Sequence, residues 1–207
     1  MAISIPNRVV VFDYGEVISR SQSEEDKLAL VATAGVSSAE FWPVYWRHRD
    51  LLDHGRLSII EYWRQVAADL GVSWDLATVQ QLWVIDFRGW ISAEPATVRI
   101  LEELHDGGTR MALLSNAGFD FGDPFRYAPF ATLFERVFVS AELGLLKPDA
   151  EIYRYIAREL SIELASMVFI DNKAVNVDGA TALGVTGHVF TDAPQLREFL
   201  VSLGQEC

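Results

Sequence analysis

The chain has 207 residues, 50% of them hydrophobic, and a formal net charge of −12 from 17 Lys and Arg against 29 Asp and Glu. That is enough apolar material to fill a core, so wholesale disorder is excluded. The excess of acid argues against nucleic acid and an anionic membrane surface as partners, and no apolar run approaches the ~20 residues that span a bilayer.

Met1 to Pro6 lacks the charged start and long apolar stretch of a secretory signal, so a soluble, cytoplasmic protein is expected. Val9-Val10-Val11-Phe12 is a continuous apolar run that stops at Asp13, the pattern of a strand buried on both faces. From about Ser21 to Ser92 no strand-like run occurs. Helices are predicted over Glu24–Ala34, Ser38–Asp53, Ser58–Leu70 and Leu76–Phe87, with Gly35, Gly55 and Gly71 as breaks. Five of the six tryptophans lie here before residue 90, and Trp90 closes the segment, which points to an aromatic core of its own. Ala96–His105 sets Val98, Leu101 and Leu104 on one helical face and stops at Gly107-Gly108.

Met111–Leu114 is a second buried strand, before Ser115-Asn116, and Val137–Val139 a third, before Ser140. Asp149–Leu160 repeats Ile152, Ile156 and Leu160 at helical spacing. Met167–Ile170 is a fourth strand ending at Asp171, and Val175–Leu183 the helix after it. Val185–Phe190, interrupted by Gly187 and His188, reads as a peripheral strand before a last helix over Ala193–Leu203. Cys207 is the only cysteine, so neither an internal disulfide nor a Cys-based metal site can form. The alternation of strand and helix predicts an α/β fold, a doubly wound, mostly parallel sheet made by residues 1–20 and 93–207, with a helical insertion over 21–92.

In open sheets of this kind ligands bind beyond the carboxyl ends of the strands. Asp13, Ser115, Asn116, Asp171 and Asn172 all fall there, and Lys147 follows the third strand in Gly144-Leu145-Leu146-Lys147-Pro148. Two carboxylates, a hydroxyl, amides and an amine at one edge suit a hard divalent cation together with a phosphate, and Asp13 could act as a nucleophile. Ser115 could instead simply cap a helix, and Lys147 could be a solvated surface lysine.

Four segments in order resemble the motifs of the haloacid dehalogenase superfamily of aspartate-nucleophile hydrolases, whose small phosphatases carry a helical cap after the first strand. They are Val9 to Ile18, Leu113 to Asn116, Lys147-Pro148-Asp149 with Ile152-Tyr153, and Phe169 to Asn172 with Asn176 to Ala180. The resemblance implies that Asp13 is nucleophile and metal ligand, that Ser115 and Asn116 hold phosphate, and that Lys147 neutralises the reacting oxygens. It implies further that Asp13, the backbone oxygen of Gly15, Asp171 and Asn172 bind Mg²⁺. The expected activity is hydrolysis of small phosphate monoesters, sugar phosphates among them, by a monomer or homodimer whose partner is a small phosphorylated metabolite.

Two positions depart from the family pattern. Gly15 stands where these phosphatases usually have an Asp that protonates the leaving oxygen, a group typically worth ~10²–10⁴ in rate. Asn172 stands where a second adjacent Asp usually meets the metal, which predicts weaker, substrate-dependent Mg²⁺ binding. Glu16 is a possible replacement acid, and Asp178 reads as a helix surface residue. Trp46, Arg47, His48 and Arg88 are the insertion residues from which a substrate-choosing one or two could come, and all four histidines read as structural or exposed. The alternatives are metal-independent dehalogenation of a 2-haloacid, partly compatible with Asn172, and a binding or regulatory role after loss of catalysis.

Overall fold

The apolar runs pair side by side in the computed structural model, which describes residues 2–205; Met1 and Cys207 lie outside them. The strands β1 (Val9–Phe12), β2 (Arg110–Ser115), β3 (Arg136–Val139), β4 (Met167–Asp171) and β5 (Thr186–Val189) form one all-parallel sheet in the order β3-β2-β1-β4-β5. This is the α/β sheet expected. Phe12 pairs with Leu113 on one side and Ile170 on the other, so Asp13 and Asp171 come level at neighbouring strand ends.

Both faces of the sheet are covered, which is why its strands read as unbroken apolar runs. Val10, Phe12, Met111, Leu113, Val168 and Ile170 point into one core with Leu101 and Leu104 of α6 (Pro95–Asp106) and Leu196 and Leu200 of α11 (Ala193–Gln205). Phe121 and Phe125 join that core around α7 (Gly122–Tyr127). Val9, Val11, Ala112, Leu114, Met167 and Phe169 point the other way, onto Ile152 and Ile156 of α9 (Ala150–Glu159) and Ala180 of α10 (Ala174–Thr181). The short α8 (Ser140–Leu143) leaves the end of β3.

Between β1 and α6 lie five helices: α1 (Glu24–Ala34), α2 (Ser38–Arg47), α3 (Arg49–Asp53), α4 (Ile59–Leu70) and α5 (Leu76–Ile91). They pack about a third core that includes Leu30, Phe41, Tyr45, Trp63 and Leu82. Capping boxes set two of the starts: Ser37 with Glu40 opens α2, and Ser58 with Glu61 opens α4. The chain leaves the sheet and returns to it side by side, with Arg20 N–H donating to Ser92 O (2.7 Å) and Glu94 N–H to Ile18 O (2.7 Å).

Beyond shifts of one or two residues at other element ends, three differences from the sequence expectation bear on the site. The helix expected over Ser38–Asp53 breaks at His48 (φ −106°, ψ 1°), and the break turns Arg49 and Asp53 inward, where both are buried. Helix α5 runs past Phe87 to Ile91, because Gly89 packs closely on the Gln22 side chain and does not end the helix. Phe190 follows β5 and is not part of it, its N–H donating to Asp171 O (2.9 Å). Directly after α3, Gly55 (φ +77°) sits so close to α8 that an added Cβ would lie 2.5 Å from Ala141 O. The close approach seats α3 over the carboxyl edge of the sheet. Among the described residues no helix is long and apolar enough to cross a membrane.

Candidate active site

Strand order reverses between β1 and β4, so the crevice of a doubly wound sheet opens at their carboxyl ends. Asp13 and Asp171 stand there, and Lys147 reaches in from the loop between α8 and α9. Its Nζ donates to Asp13 Oδ1 (2.7 Å), Asp171 Oδ2 (2.8 Å) and Leu114 O (3.0 Å). Lys147 is buried, which rules out the solvated surface lysine. Ser115 ends β2, buried, with no helix starting at it, so it is not a helix cap.

Neighbouring side chains fix these groups. Asn116 clamps the backbone of Lys147, accepting from its N–H (3.0 Å) and donating to its carbonyl (3.0 Å). Its amide is thus engaged in positioning the lysine loop. Asn176, which sequence reasoning gave no role, donates to Asp171 Oδ2 (2.9 Å), while Tyr153 donates to Asn176 O (2.7 Å). Asp171 Oδ1 accepts from Lys173 N–H (2.8 Å). Asp178 is exposed on α10, as expected.

Burial pushes the Asp13 carboxyl up to about 6; Lys147 opposes that rise and Asp171 adds to it. Burial alone would lower Lys147, but the two carboxylates outweigh it and hold the ammonium above the ordinary lysine value. The centre therefore holds a cation at any neutral pH, against an Asp13 that is mostly ionised above pH 6.

A cavity of about 120 Å³ lies over these groups, lined by Asp13, Gly15, Ser115, Lys147 and Asn172 from the sheet edge. Its other wall is aromatic, with Trp46, Trp90, Phe121 and Phe125, and carries Arg49 and Asp53 of α3. Of the four insertion residues singled out in the sequence, only Trp46 reaches the cavity. Arg47 and His48 both pair with Asp69 (2.8 Å each), and Arg88 pairs with Asp26. Arg49 and Asp53 were missed; Arg49 donates to Asp86 Oδ2 (2.8 Å), which shares a buried network with Tyr45 and Gln22.

One departure from the expected pattern, Asn172, touches the neighbour of the other, Glu16. Asn172 Nδ2 donates to Glu16 Oε2 (2.9 Å), and Ser21 Oγ donates to Glu16 Oε1 (2.7 Å). Of the two ends of an amide only the NH₂ can donate to a carboxylate, so Asn172 Oδ1 faces away from Glu16, and it is buried with no hydrogen-bond partner among the described residues. An orphaned amide oxygen beside two carboxylates fits a hard cation, although among the described residues no three His, Cys, Asp or Glu side chains cluster for one. With Asp at 172, a second carboxylate would face Glu16. Asn172→Asp is therefore expected to destabilise the metal-free protein, and Glu16→Gln to relieve the loss, with a coupling on the order of 0.5–1 kcal/mol by urea unfolding of the four proteins. Additive effects would mean the pair is not coupled.

No protein-family model matches the chain. It is 24% identical over 190 residues to the sesquiterpene phosphatase astK of Aspergillus oryzae, covering 90% of this chain and 91% of that one. It is 23% identical over 198 residues to the drimenol cyclase drtB of Aspergillus calidoustus, covering 95% of this chain but only 36% of that protein. A haloacid dehalogenase-family enzyme from Bacteroides thetaiotaomicron, solved in complex with magnesium and inorganic phosphate, is similar in structure with a TM-score of 0.71 at 17% identity, covering 91% of this chain and 98% of that one. The L-2-haloacid dehalogenase of Xanthobacter autotrophicus, with chloropropionic acid covalently bound, gives a TM-score of 0.63 at 18% identity, covering 87% of this chain and 76% of that one. At such identities the structural likeness establishes the fold.

Proposed function

We propose that this chain, a hydrolase of the haloacid dehalogenase superfamily, is a Mg²⁺-dependent phosphatase that cleaves small organic phosphate monoesters through an aspartyl-phosphate on Asp13. The observation that carries the reading is the Lys147 ammonium held between Asp13 and Asp171, at the strand-order reversal and under a small cavity. Phosphoryl transfer asks chiefly for positioning and for charge to meet the phosphoryl oxygens, and this centre supplies both.

Among the described residues no side chain bonds Asp13 Oδ2, which is the oxygen left to attack phosphorus while Lys147 holds Oδ1. Ser115 at the end of β2 offers a hydroxyl to a phosphoryl oxygen, and Lys147 meets the growing negative charge. Asn116 and Asn176 keep Lys147 and Asp171 in place while water later releases phosphate. Asp13, Asp171, the Gly15 carbonyl and Asn172 Oδ1 would hold Mg²⁺, which offsets charge on the phosphoryl group when bound. With only two carboxylates among these donors, Mg²⁺ is expected to bind weakly alone and tighter with phosphate.

The helices α1–α5 serve as a cap that closes this cavity, and their chemistry sets the substrate. Trp46 and Trp90 from the cap, with Phe121 and Phe125 around α7, favour an apolar leaving group over a nucleotide or a bare sugar. The relative aligned over nine-tenths of both chains, named a sesquiterpene phosphatase, supports that choice. A 2-haloacid fits less well, since the buried Asp171 keeps an acidic corner against its carboxylate. Purified protein with Mg²⁺ is expected to release phosphate from alkyl and aryl monophosphates faster than from nucleotides, and no chloride from a chlorinated 2-haloacid. Chloride release without phosphate release would overturn the reading.

A further inference from the structure

We propose that Asp53, brought into the cavity by α3, gives a proton to the leaving oxygen and later takes one from the attacking water, the work for which Gly15 has no side chain. The inference rests on the phosphatase reading above. In the first half-reaction the Asp13 carboxylate forms a bond to phosphorus, the bond from phosphorus to the leaving oxygen breaks, and the Asp53 proton moves to that oxygen to give the free alcohol. In the second, water oxygen bonds to phosphorus, the Asp13–phosphorus bond breaks, and the proton of the water passes to Asp53. Inorganic phosphate leaves, and both carboxyl groups return to their starting states.

Three carboxyl side chains line the cavity: Asp13, Glu16 and Asp53. Asp13 is the nucleophile. Glu16 is exposed, and its two oxygens are taken by Asn172 and Ser21, which argues against it as the replacement acid. Asp53 Oδ1 is buried and, among the described residues, accepts no hydrogen bond; it pairs only with Arg49, whose Nε stands 3.4 Å away. A buried carboxyl oxygen held by an ion pair alone, with no hydrogen bond, is costly to keep and needs a reason.

Its placement is fixed from the sheet side. Ser140 Oγ donates to Asp53 O (2.5 Å) and accepts from Ala117 N–H (2.9 Å), tying the end of α3 to the ends of β2 and β3. The contact of Gly55 with Ala141 O holds the next turn against the same edge. The proton donor is thus anchored to the sheet that carries the nucleophile.

The surroundings suit an acid that becomes a base. Burial raises the Asp53 carboxyl to about 7, against the pull of Arg49 on its own helix and of Lys173 after β4; Asp50 and Asp86 add to the rise. A group half-protonated near neutral pH serves both half-reactions.

Asp53→Asn separates this role from a structural one with two probes, phenethyl phosphate, whose alkoxide must be protonated to leave, and para-nitrophenyl phosphate, whose phenolate need not be. The variant is expected to lose about 10²–10³-fold in kcat on phenethyl phosphate and the alkaline fall of its pH profile. On para-nitrophenyl phosphate it should give a burst of one nitrophenolate per protein at near wild-type rate, then slow turnover for want of a base. Thermal unfolding checks that the variant is folded; should it fail, Asp53→Ser goes through the same comparison. Equal pre-steady-state losses on both esters, or no loss on either, would overturn the role of Asp53 and leave the phosphatase reading standing. A wild-type protein that hydrolyses neither ester would overturn both.

Discussion

Lys147→Met is expected to destabilise the protein by about 3–5 kcal/mol and to lower phosphatase kcat by a further 10²–10³-fold in whatever fraction stays folded. The side chain is almost wholly buried, and its ammonium donates to two carboxylates and a carbonyl. Methionine matches its length but leaves Asp13 and Asp171 facing each other without a cation. The loss then depends on pH, with a definite sign. The Asp13 carboxyl already titrates at about 6, and without Lys147 it takes up its proton at still higher pH. The unfolded chain releases that proton near 4, so from about pH 4 upward the folded variant binds more protons than the unfolded one, and its stability falls as pH rises. Urea unfolding of wild type and variant at pH 5 and pH 8 should show the larger deficit at pH 8. A deficit equal at both would mean that Lys147 stabilises by packing alone.

Asp13, Ser115 and Asp171 are legible in the sequence because the sheet itself marks them, whereas Lys147, in a loop after the third strand, is marked only by the Lys-Pro-Asp motif it opens. A strand buried on both faces is apolar throughout, and the first polar residue after it lies at the carboxyl edge where ligands bind. The residues that complete the cavity carry no such mark. The segment His48-Arg49-Asp50-Leu51-Leu52-Asp53 reads as the tail of an amphipathic helix, on which charges normally face water. Only the break at His48 turns Arg49 and Asp53 inward. In the same way the sequence offers Arg47 and Arg88 as substrate contacts and passes over Arg49, and it is Asp69 and Asp26 that draw the first two away. The pairing of Glu16 with Asn172 spans 156 positions, a contact that a residue pattern cannot show. What the periodicity of a chain reports is burial; which charge meets which is decided by tertiary packing.

Asp13→Asn should abolish turnover, by roughly 10⁴–10⁶-fold, because an amide cannot form the phosphoryl intermediate that every later step requires. The same change is expected to make the protein more stable at neutral pH. Burial raises the Asp13 carboxyl from its ordinary value to about 6 despite Lys147, so the folded state disfavours the charge that catalysis needs. Between about pH 4 and 6 the folded wild type holds a proton that the unfolded chain has released, and its stability declines across that window. Asparagine does not titrate. The variant should therefore match wild type near pH 4 and exceed it above pH 6 by on the order of 1–3 kcal/mol, with Lys147 still held by Asp171. Thermal unfolding across that range, beside phosphate release, reads both effects. A variant that is inactive and more stable identifies Asp13 as a group kept at the expense of the fold, as catalytic groups commonly are. A variant less stable than wild type at pH 8 would mean that the bond to Lys147 outweighs the burial of the charge.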